Sequence, residues 1–115
     1  MKKVALGLLS LLPAPALAQS TTFAPEAVVG VGDGPSCVTA ADLDGDGDLD
    51  VISCEVQTAR VGFYLNLGGG NFGQQQVLTN SATNAAAVFA TDLDGDGDVD
   101  VLFASPGGPV RVGWF

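Results

Sequence analysis

Two aspartate-rich stretches contain most of the residues in this chain that could do chemistry. They read DLDGDGDLDV from Asp42 and DLDGDGDVDV from Asp92, and they hold ten of the thirteen acidic residues. Five carboxylates in one short turn repel one another, and neither stretch contains a basic residue. A hard cation removes this conflict, because calcium takes about six to eight oxygen ligands at roughly 2.3–2.6 Å. We therefore predict one calcium site in each stretch, or two ions per chain.

The spacing of the aspartates assigns the ligands, because a tight loop presents alternate residues to its centre. The first, second, third and fifth aspartates of each copy would supply carboxylates, and the fourth its backbone carbonyl. Gly47 permits the sharp bend that such a loop needs. The predicted metal-binding residues are Asp42, Asp44, Asp46, Asp48 and Asp50 in the first copy and Asp92, Asp94, Asp96, Asp98 and Asp100 in the second. The apolar residues between them are expected to face inward and fix the loops to a core: Leu43, Leu49, Val51, Leu93, Val99 and Val101.

Other interpretations of the loops are weaker. A solvated acidic turn without metal leaves the repulsion unexplained, and Mg²⁺ suits a cage of several protein carboxylates less well than the larger Ca²⁺ does. Metals that prefer thiolate or imidazole are not indicated, since the chain has no histidine and no cysteine beside the loops. An EF-hand or dockerin needs flanking helices and a glutamate at loop position 12, where Ser53 and Phe103 stand between strand-like flanks.

Repeated strands are expected to position the two loops. VTAADLDGDGDLDVI from Val38 aligns with VFATDLDGDGDVDVL from Val88 at an offset of fifty, RVGFY aligns with RVGWF, and FAPEAVV resembles FGQQQVL. Residue composition predicts four strands in the first unit: Ser36–Ala41, Asp50–Glu55, Arg60–Leu65 and Phe72–Thr79. Four short strands in each unit predict an all-β fold of antiparallel blades, as in a propeller. A β-sandwich of two similar hairpins is the alternative.

This arrangement resembles the FG-GAP, or VCBS, repeat of integrin-α-type β-propellers. The resemblance rests on the two aspartate stretches with their flanks and on VGFYLNLGGGNF, and it extends from about Phe23 to Phe115. It implies four-stranded blades whose innermost strand runs into a calcium loop, with the aspartates named above as ligands. The chain would then hold one complete blade at about 36–79, a partial blade at about 86–115, and an outer strand, Phe23–Val29, from a preceding blade. One blade leaves open edges, so we expect either self-association or, as the preferred interpretation, a longer parent protein.

The N-terminal residues predict export. MKKVALGLLSLLPAPALA has two lysines, an apolar run and a terminal Ala-Leu-Ala, which is the form of a secretory signal peptide over residues 1–18. A membrane anchor is the alternative, but the run is short and two prolines interrupt it. The rest of the chain is expected to be secreted, periplasmic or at the cell surface, with no membrane span. The formal net charge of −9 argues against binding of nucleic acid or anionic lipid.

Two cysteines flank the first loop. If Asp42 lies opposite Asp50 in a hairpin, Cys37 and Cys54 are cross-strand neighbours within one residue of register. The second unit has alanine at both equivalent positions, so the cysteines are present together or absent together. In an exported chain this favours a disulfide over two buried free thiols.

No catalytic group of residues is evident, and we expect that the chain is not an enzyme. It has no histidine, and its single tyrosine and single tryptophan fall in predicted strands. The sequence predicts an exported calcium-binding repeat module for binding or adhesion, with an undefined protein or carbohydrate ligand. One alternative is a fragment of a larger secreted propeller enzyme, for example a polysaccharide-active one, whose catalytic residues lie outside this chain. A truncated gene product with no independent role is another.

Overall fold

The computed structural model describes residues 22–115, and all regular secondary structure within that range is β-strand. The predicted signal peptide at 1–18 lies outside the described residues. No helix in residues 22–115 is long and apolar enough to cross a membrane. The seven strands are β1 Pro35–Ala41, β2 Asp50–Glu55, β3 Arg60–Tyr64, β4 Gln76–Thr79, β5 Ala87–Thr91, β6 Asp100–Ser105 and β7 Arg111–Trp114.

The strands form two antiparallel sheets that follow chain order. The first sheet has the order β1-β2-β3-β4, and the second has the order β5-β6-β7. Each sheet is an up-and-down meander, which confirms the predicted all-β fold with one four-stranded blade and a partial blade after it. The sequence repeat is thus also a structural repeat, because β5, β6 and β7 occupy the places of β1, β2 and β3.

Most of the predicted strands are confirmed, and two predictions are corrected. The bounds of β2 are as predicted, and those of β1 and β3 differ by one residue each. The fourth strand begins at Gln76 rather than Phe72, and Phe72 makes only an isolated bridge to Asn66. The predicted outer strand at Phe23–Val29 does not form within this single chain, because the segment joins neither sheet. A strand needs a partner edge for its backbone groups, and this segment has none in the structure.

The first sheet packs on the second through a single core. Ile52, Cys54 and Val61 come from the first sheet, and Val101 and Phe103 from the second. Ala82 and Ala85, in the connection between β4 and β5, are fully or almost fully buried in the same cluster. Side chains alternate between the two faces of a strand, so each sheet contributes one face to this core and keeps the other outside it.

The register of the first hairpin brings the two cysteines directly opposite each other. Cys37 pairs with Cys54, and a disulfide joins them with their Cα atoms 5.1 Å apart. The predicted disulfide is therefore present. The register assumed from sequence is off by one residue, because Ala41 and not Asp42 lies opposite Asp50. The strand pairing ends one residue earlier, and this leaves Asp42 free to begin the loop.

Candidate metal centre

Each aspartate-rich stretch forms the loop of a strand hairpin. The first loop joins β1 to β2 and the second joins β5 to β6, and the pairs Ala41–Asp50 and Thr91–Asp100 hold the two loop ends together. Gly45 and Gly47 have φ angles of 75° and 93°, in the left-handed region that favours glycine. The glycines of the second loop have φ angles of 79° and 99°. The predicted need for glycine at the bend is thus confirmed in both copies.

The first aspartate organises the backbone of the loop around its carboxylate. In the first loop, Asp42 Oδ1 accepts hydrogen bonds from the backbone N–H of Gly45 at 2.8 Å and of Asp46 at 3.1 Å. Its Oδ2 accepts one from Gly47 N–H at 2.9 Å. Asp92 accepts the three equivalent bonds in the second loop, at 2.7, 3.1 and 2.9 Å. A carboxylate has about four lone-pair sites, so these bonds leave room for a cation on the other side.

The last aspartate of the first loop ties the loop to the body of the sheet. Asp50 is fully buried, and its Oδ2 accepts a hydrogen bond from Leu43 N–H at 2.8 Å. Its Oδ1 accepts one from Asn66 N–H at 2.8 Å, and the Asn66 side chain donates to Leu49 O at 3.2 Å. In the second loop, Asp100 is 9% exposed and accepts the equivalent bond from Leu93 N–H at 2.8 Å.

Sequence reasoning missed Asn66. It lies in NLGGGN, which we interpreted only as a glycine turn after β3. The signal that could have found it is its position, because an antiparallel neighbour of β2 must end beside the start of β2, where Asp50 lies. The backbone of a third strand therefore takes part in holding the loop.

The structure brings three carboxylates together in each loop. One oxygen from each of Asp42, Asp44 and Asp46 lies within 4.8 Å of the other two, and the same is true of Asp92, Asp94 and Asp100. Two oxygens bound to one calcium ion are at most about 5 Å apart, so both clusters fit a hard cation. The cluster of the first loop consists of its first, second and third aspartates, and that of the second loop consists of its first, second and fifth aspartates. Each of the four predicted carboxylate positions therefore belongs to a cluster in at least one loop, while Asp50 and Asp96 are not in the cluster of their own loop.

The fourth aspartate of each loop behaves differently from the others. Asp48 and Asp98 are exposed and belong to neither cluster. Their backbone N–H groups donate to the carboxylates of Asp46 and Asp96, at 2.8 and 2.9 Å. The role of their carbonyl oxygens as metal ligands stays a prediction.

Desolvation and neighbouring carboxylates raise the pKa of the second aspartate in each loop. Desolvation and the charges of Asp46 and Asp50 raise the pKa of Asp44, against a lowering hydrogen bond from the Asp46 backbone. The hydrogen bond from the Asp96 backbone lowers the pKa of Asp94, but desolvation and the neighbouring carboxylates outweigh it and the net shift is also upward. Each loop therefore holds its carboxylates in a negative local field, which a cation would relieve.

The predicted inward-facing residues divide into two groups. Leu43 packs against the core, Val101 is 4% exposed and belongs to it, and Val51 and Val99 are half-buried. The prediction for Leu49 and Leu93 is wrong, because they are 59% and 48% exposed. Leu49 and Leu93 lie in hairpin loops that extend beyond the ends of their strands, and their side chains do not reach the core as that of Leu43 does.

Outside the loops, the buried acidic residue Glu55 has structural partners. Its carboxylate accepts hydrogen bonds from Thr58 Oγ1 at 2.8 Å and from Gln75 Nε2, and it lies 3.5 Å from Arg60. Burial raises the pKa of Glu55, but these hydrogen bonds and the guanidinium outweigh burial and hold the pKa below its ordinary value. A carboxylate so fully occupied is suited to fixing the β2–β3 turn and not to proton transfer.

Comparison with known proteins gives one family. A family model described as FG-GAP-like repeat matches residues 17–53 and 54–103, which together make up most of the chain. The two matched segments contain one aspartate loop each. Searches of the curated proteins and of the solved structures give no match.

Proposed function

The chain belongs to the FG-GAP-like repeat family, and from that premise we propose that it is an exported calcium-binding repeat module that serves binding or adhesion. The family and the two antiparallel sheets make it a repeat module of a propeller-type domain. The observation that supports calcium is the convergence of three carboxylates within 4.8 Å in each of two equivalent loops.

Calcium would be held by the carboxylates of the two clusters. In the first loop these are Asp42, Asp44 and Asp46, with the other oxygen ligands drawn from Asp50, the Asp48 carbonyl or water. In the second loop they are Asp92, Asp94 and Asp100, with Asp96 and the Asp98 carbonyl as the remaining candidates. The ion supplies positive charge that offsets the repulsion among these groups. The donor set is all oxygen, which suits calcium and excludes a thiolate or imidazole metal.

The proposed role of the metal is structural. Each loop lies between two paired strands, and Asp50 connects the first loop to the turn after β3 through Asn66. An ion that draws the loop carboxylates together would therefore fix the same end of three strands. Because the unfolded chain has no such site, binding energy would appear as folding energy.

Export and a binding role rest on other features. The disulfide between Cys37 and Cys54 fits an oxidising compartment outside the cytoplasm, in agreement with the signal-like N-terminus. Glu55 is engaged in structural contacts, and the aspartates are gathered in the loops. We propose that the module is not an enzyme and that its surface binds a protein or carbohydrate.

Calorimetric titration tests the calcium sites. Protein purified from an exporting host and stripped with chelator is titrated with CaCl₂ and, as the metal control, with MgCl₂. We expect about two sites for calcium and weaker binding of magnesium. Asp44→Asn should weaken or remove one site, while Asp48→Asn, which deletes the same charge from an exposed residue outside the cluster, should leave both sites. Absence of calcium binding, or an equal loss in the two variants, contradicts the proposal.

A further inference from the structure

The second sheet has one apolar face that lies open to solvent. We call it the outer face; it consists of Ala87, Phe89, Leu102, Ala104, Val112 and Trp114. Phe89 is 62% exposed, Val112 77% and Trp114 51%. A shallow groove runs over this face between β5, β6 and β7. So much exposed apolar surface on three adjacent strands is typical of an interaction site.

The first sheet shows what kind of surface such a face packs against. By the repeat, Val112 corresponds to Val61 and Leu102 to Ile52, yet both Val61 and Ile52 are fully buried. They are covered by the opposite face of the next sheet, which carries Phe103. The two sheets therefore pack head to tail, because the face of the first sheet that carries Ile52 and Val61 contacts the opposite, non-corresponding face of the second sheet. The outer face of the second sheet corresponds by the repeat to the face that the first sheet buries in this contact.

The second sheet also has an unpaired edge. In the first sheet, β4 pairs along β3, with Gln76 opposite Phe63. In the described residues, no strand pairs with the corresponding edge of β7. The segment Phe23–Val29 resembles the sequence that leads into β4, and its Phe23 and Val28 are 94% and 72% exposed. By the same correspondence, this segment would place Ala27 opposite Trp114.

Charge supports this pairing. In the first sheet, Arg60 donates a hydrogen bond to Gln75 at 3.1 Å, between β3 and the residue before β4. The repeat maps Arg60 to Arg111 and maps Gln75 to Glu26. The hydrogen bond between Arg60 and Gln75 would thus correspond to an ion pair between Arg111 and Glu26 when the segment pairs with the edge of β7. Glu26 is exposed, so its carboxylate is accessible to a partner.

We propose that this chain associates head to tail with a second copy of itself. Segment Phe23–Val29 of one copy adds to β7 of the other as a fourth strand, and the first sheet of that copy covers the outer face. The occupant is a second copy because a segment that resembles the start of β4, the complementary face and the matching charge all lie on this same chain. The contact is heterologous, so each dimer keeps one free face and one free segment, to which further copies can add.

Mass measurement with matched variants is the first test. Sedimentation velocity or light scattering of the calcium-loaded protein over a wide range of concentration should show a mass that rises above the monomer. Val112→Asp should weaken association about tenfold or more, because it places a charge in the buried contact. Leu67→Asp is the control, since Leu67 is 71% exposed, close to the 77% of Val112, but lies in the glycine turn after β3. A mass that stays monomeric throughout, or an equal effect of the two variants, overturns the proposal.

Site-directed crosslinking tests the polarity of the contact. Protein with Ala27→Cys is mixed with protein with Trp114→Cys, oxidised, and analysed without reductant. We expect a covalent dimer from the mixture, and little from either variant alone or from Ala27→Cys mixed with Leu67→Cys. Efficient dimer formation by one variant alone would show a two-fold symmetric contact and overturn the head-to-tail arrangement. Calcium titration of each variant, expected to match the wild-type protein, identifies any variant that has failed to fold.

Discussion

Replacement of Asp50 by asparagine should destabilise the protein even in the absence of metal. Asp50 is fully buried, and each of its carboxylate oxygens accepts one backbone hydrogen bond, from Leu43 N–H and Asn66 N–H, both at 2.8 Å. Asparagine keeps one acceptor oxygen but turns an NH₂ group toward the other donor. One buried N–H then loses its partner, and a charge-assisted hydrogen bond becomes a neutral one.

The expected loss is about 2–3 kcal/mol of unfolding free energy, since a buried donor without a partner costs about 1–3 kcal/mol and hydrogen bonds to charged groups contribute about 1.5–3. For a domain of this size, that corresponds to a decrease in Tm of roughly 10 °C or more. Asp48→Asn is the matched control, because Asp48 is exposed and its carboxylate lies outside the cluster. It makes the same change of charge in the same loop, and its effect should stay within about 0.5 kcal/mol.

Thermal or urea unfolding over a calcium series separates the structural role of Asp50 from its proposed role as a ligand. Stabilisation by calcium follows RT ln(1 + [Ca²⁺]/Kd), so the unfolding free energy extrapolated to zero calcium reports the loss from the hydrogen bonds alone. We expect Asp50→Asn to lower this extrapolated unfolding free energy and Asp48→Asn to leave it unchanged. If the two variants are equally stable at this limit, the buried hydrogen bonds of Asp50 do not support the fold and the reasoning is refuted.

Three further predictions concern the disulfide, the loop bend and the buried glutamate. Replacement of Cys37 and Cys54 together by alanine should lower the unfolding free energy by about 3 kcal/mol, and intact mass after alkylation without reductant should show no free thiol in the wild type. Gly47→Ala should destabilise the calcium-bound form by about 1–2 kcal/mol, since Gly47 has a φ of 93° and open space around it, whereas Gly73→Ala should have little effect. The folded-state pKa of Glu55 lies below its ordinary 4.5, so its contribution is complete above that pH and is lost as pH falls through the folded-state value; in urea unfolding at several pH values, the stability difference between wild type and Glu55→Gln should therefore shrink in acid.

The local chemistry of the loops could be predicted from sequence because short-range rules determine it. Alternation in a tight turn and the glycine at the bend define which side chains converge, and the structure places Asp42, Asp44 and Asp46 together. The disulfide could also be predicted from sequence, because antiparallel pairing in the hairpin places Cys37 opposite Cys54. In both cases the residues involved are separated by a single hairpin, so no long-range information is needed.

The features that were missed depend on contacts between distant parts of the chain. Asn66 reaches Asp50 only because β3 returns beside β2. The exposure of Leu49 depends on how far the loop extends beyond the sheet. The segment Phe23–Val29 has strand-like composition, but in the structure no edge lies beside it. Propensity identifies a segment that can form a strand, and only the neighbouring backbone decides whether it does.

The two loops show how such distant contacts affect a metal site whose own sequence hardly changes. The loops differ in a single residue, Leu49 against Val99, and yet Asp100 joins the carboxylate cluster of its loop while Asp50 does not. Both accept a bond from the backbone N–H of the residue after the first aspartate, but Asp50 also accepts one from Asn66. That second bond comes from the turn after β3 and holds the other carboxylate oxygen of Asp50 toward the sheet. In the first loop, the chain that follows β3 therefore helps to set the position of the last acidic group, through a contact that the sequence of the loop alone does not reveal.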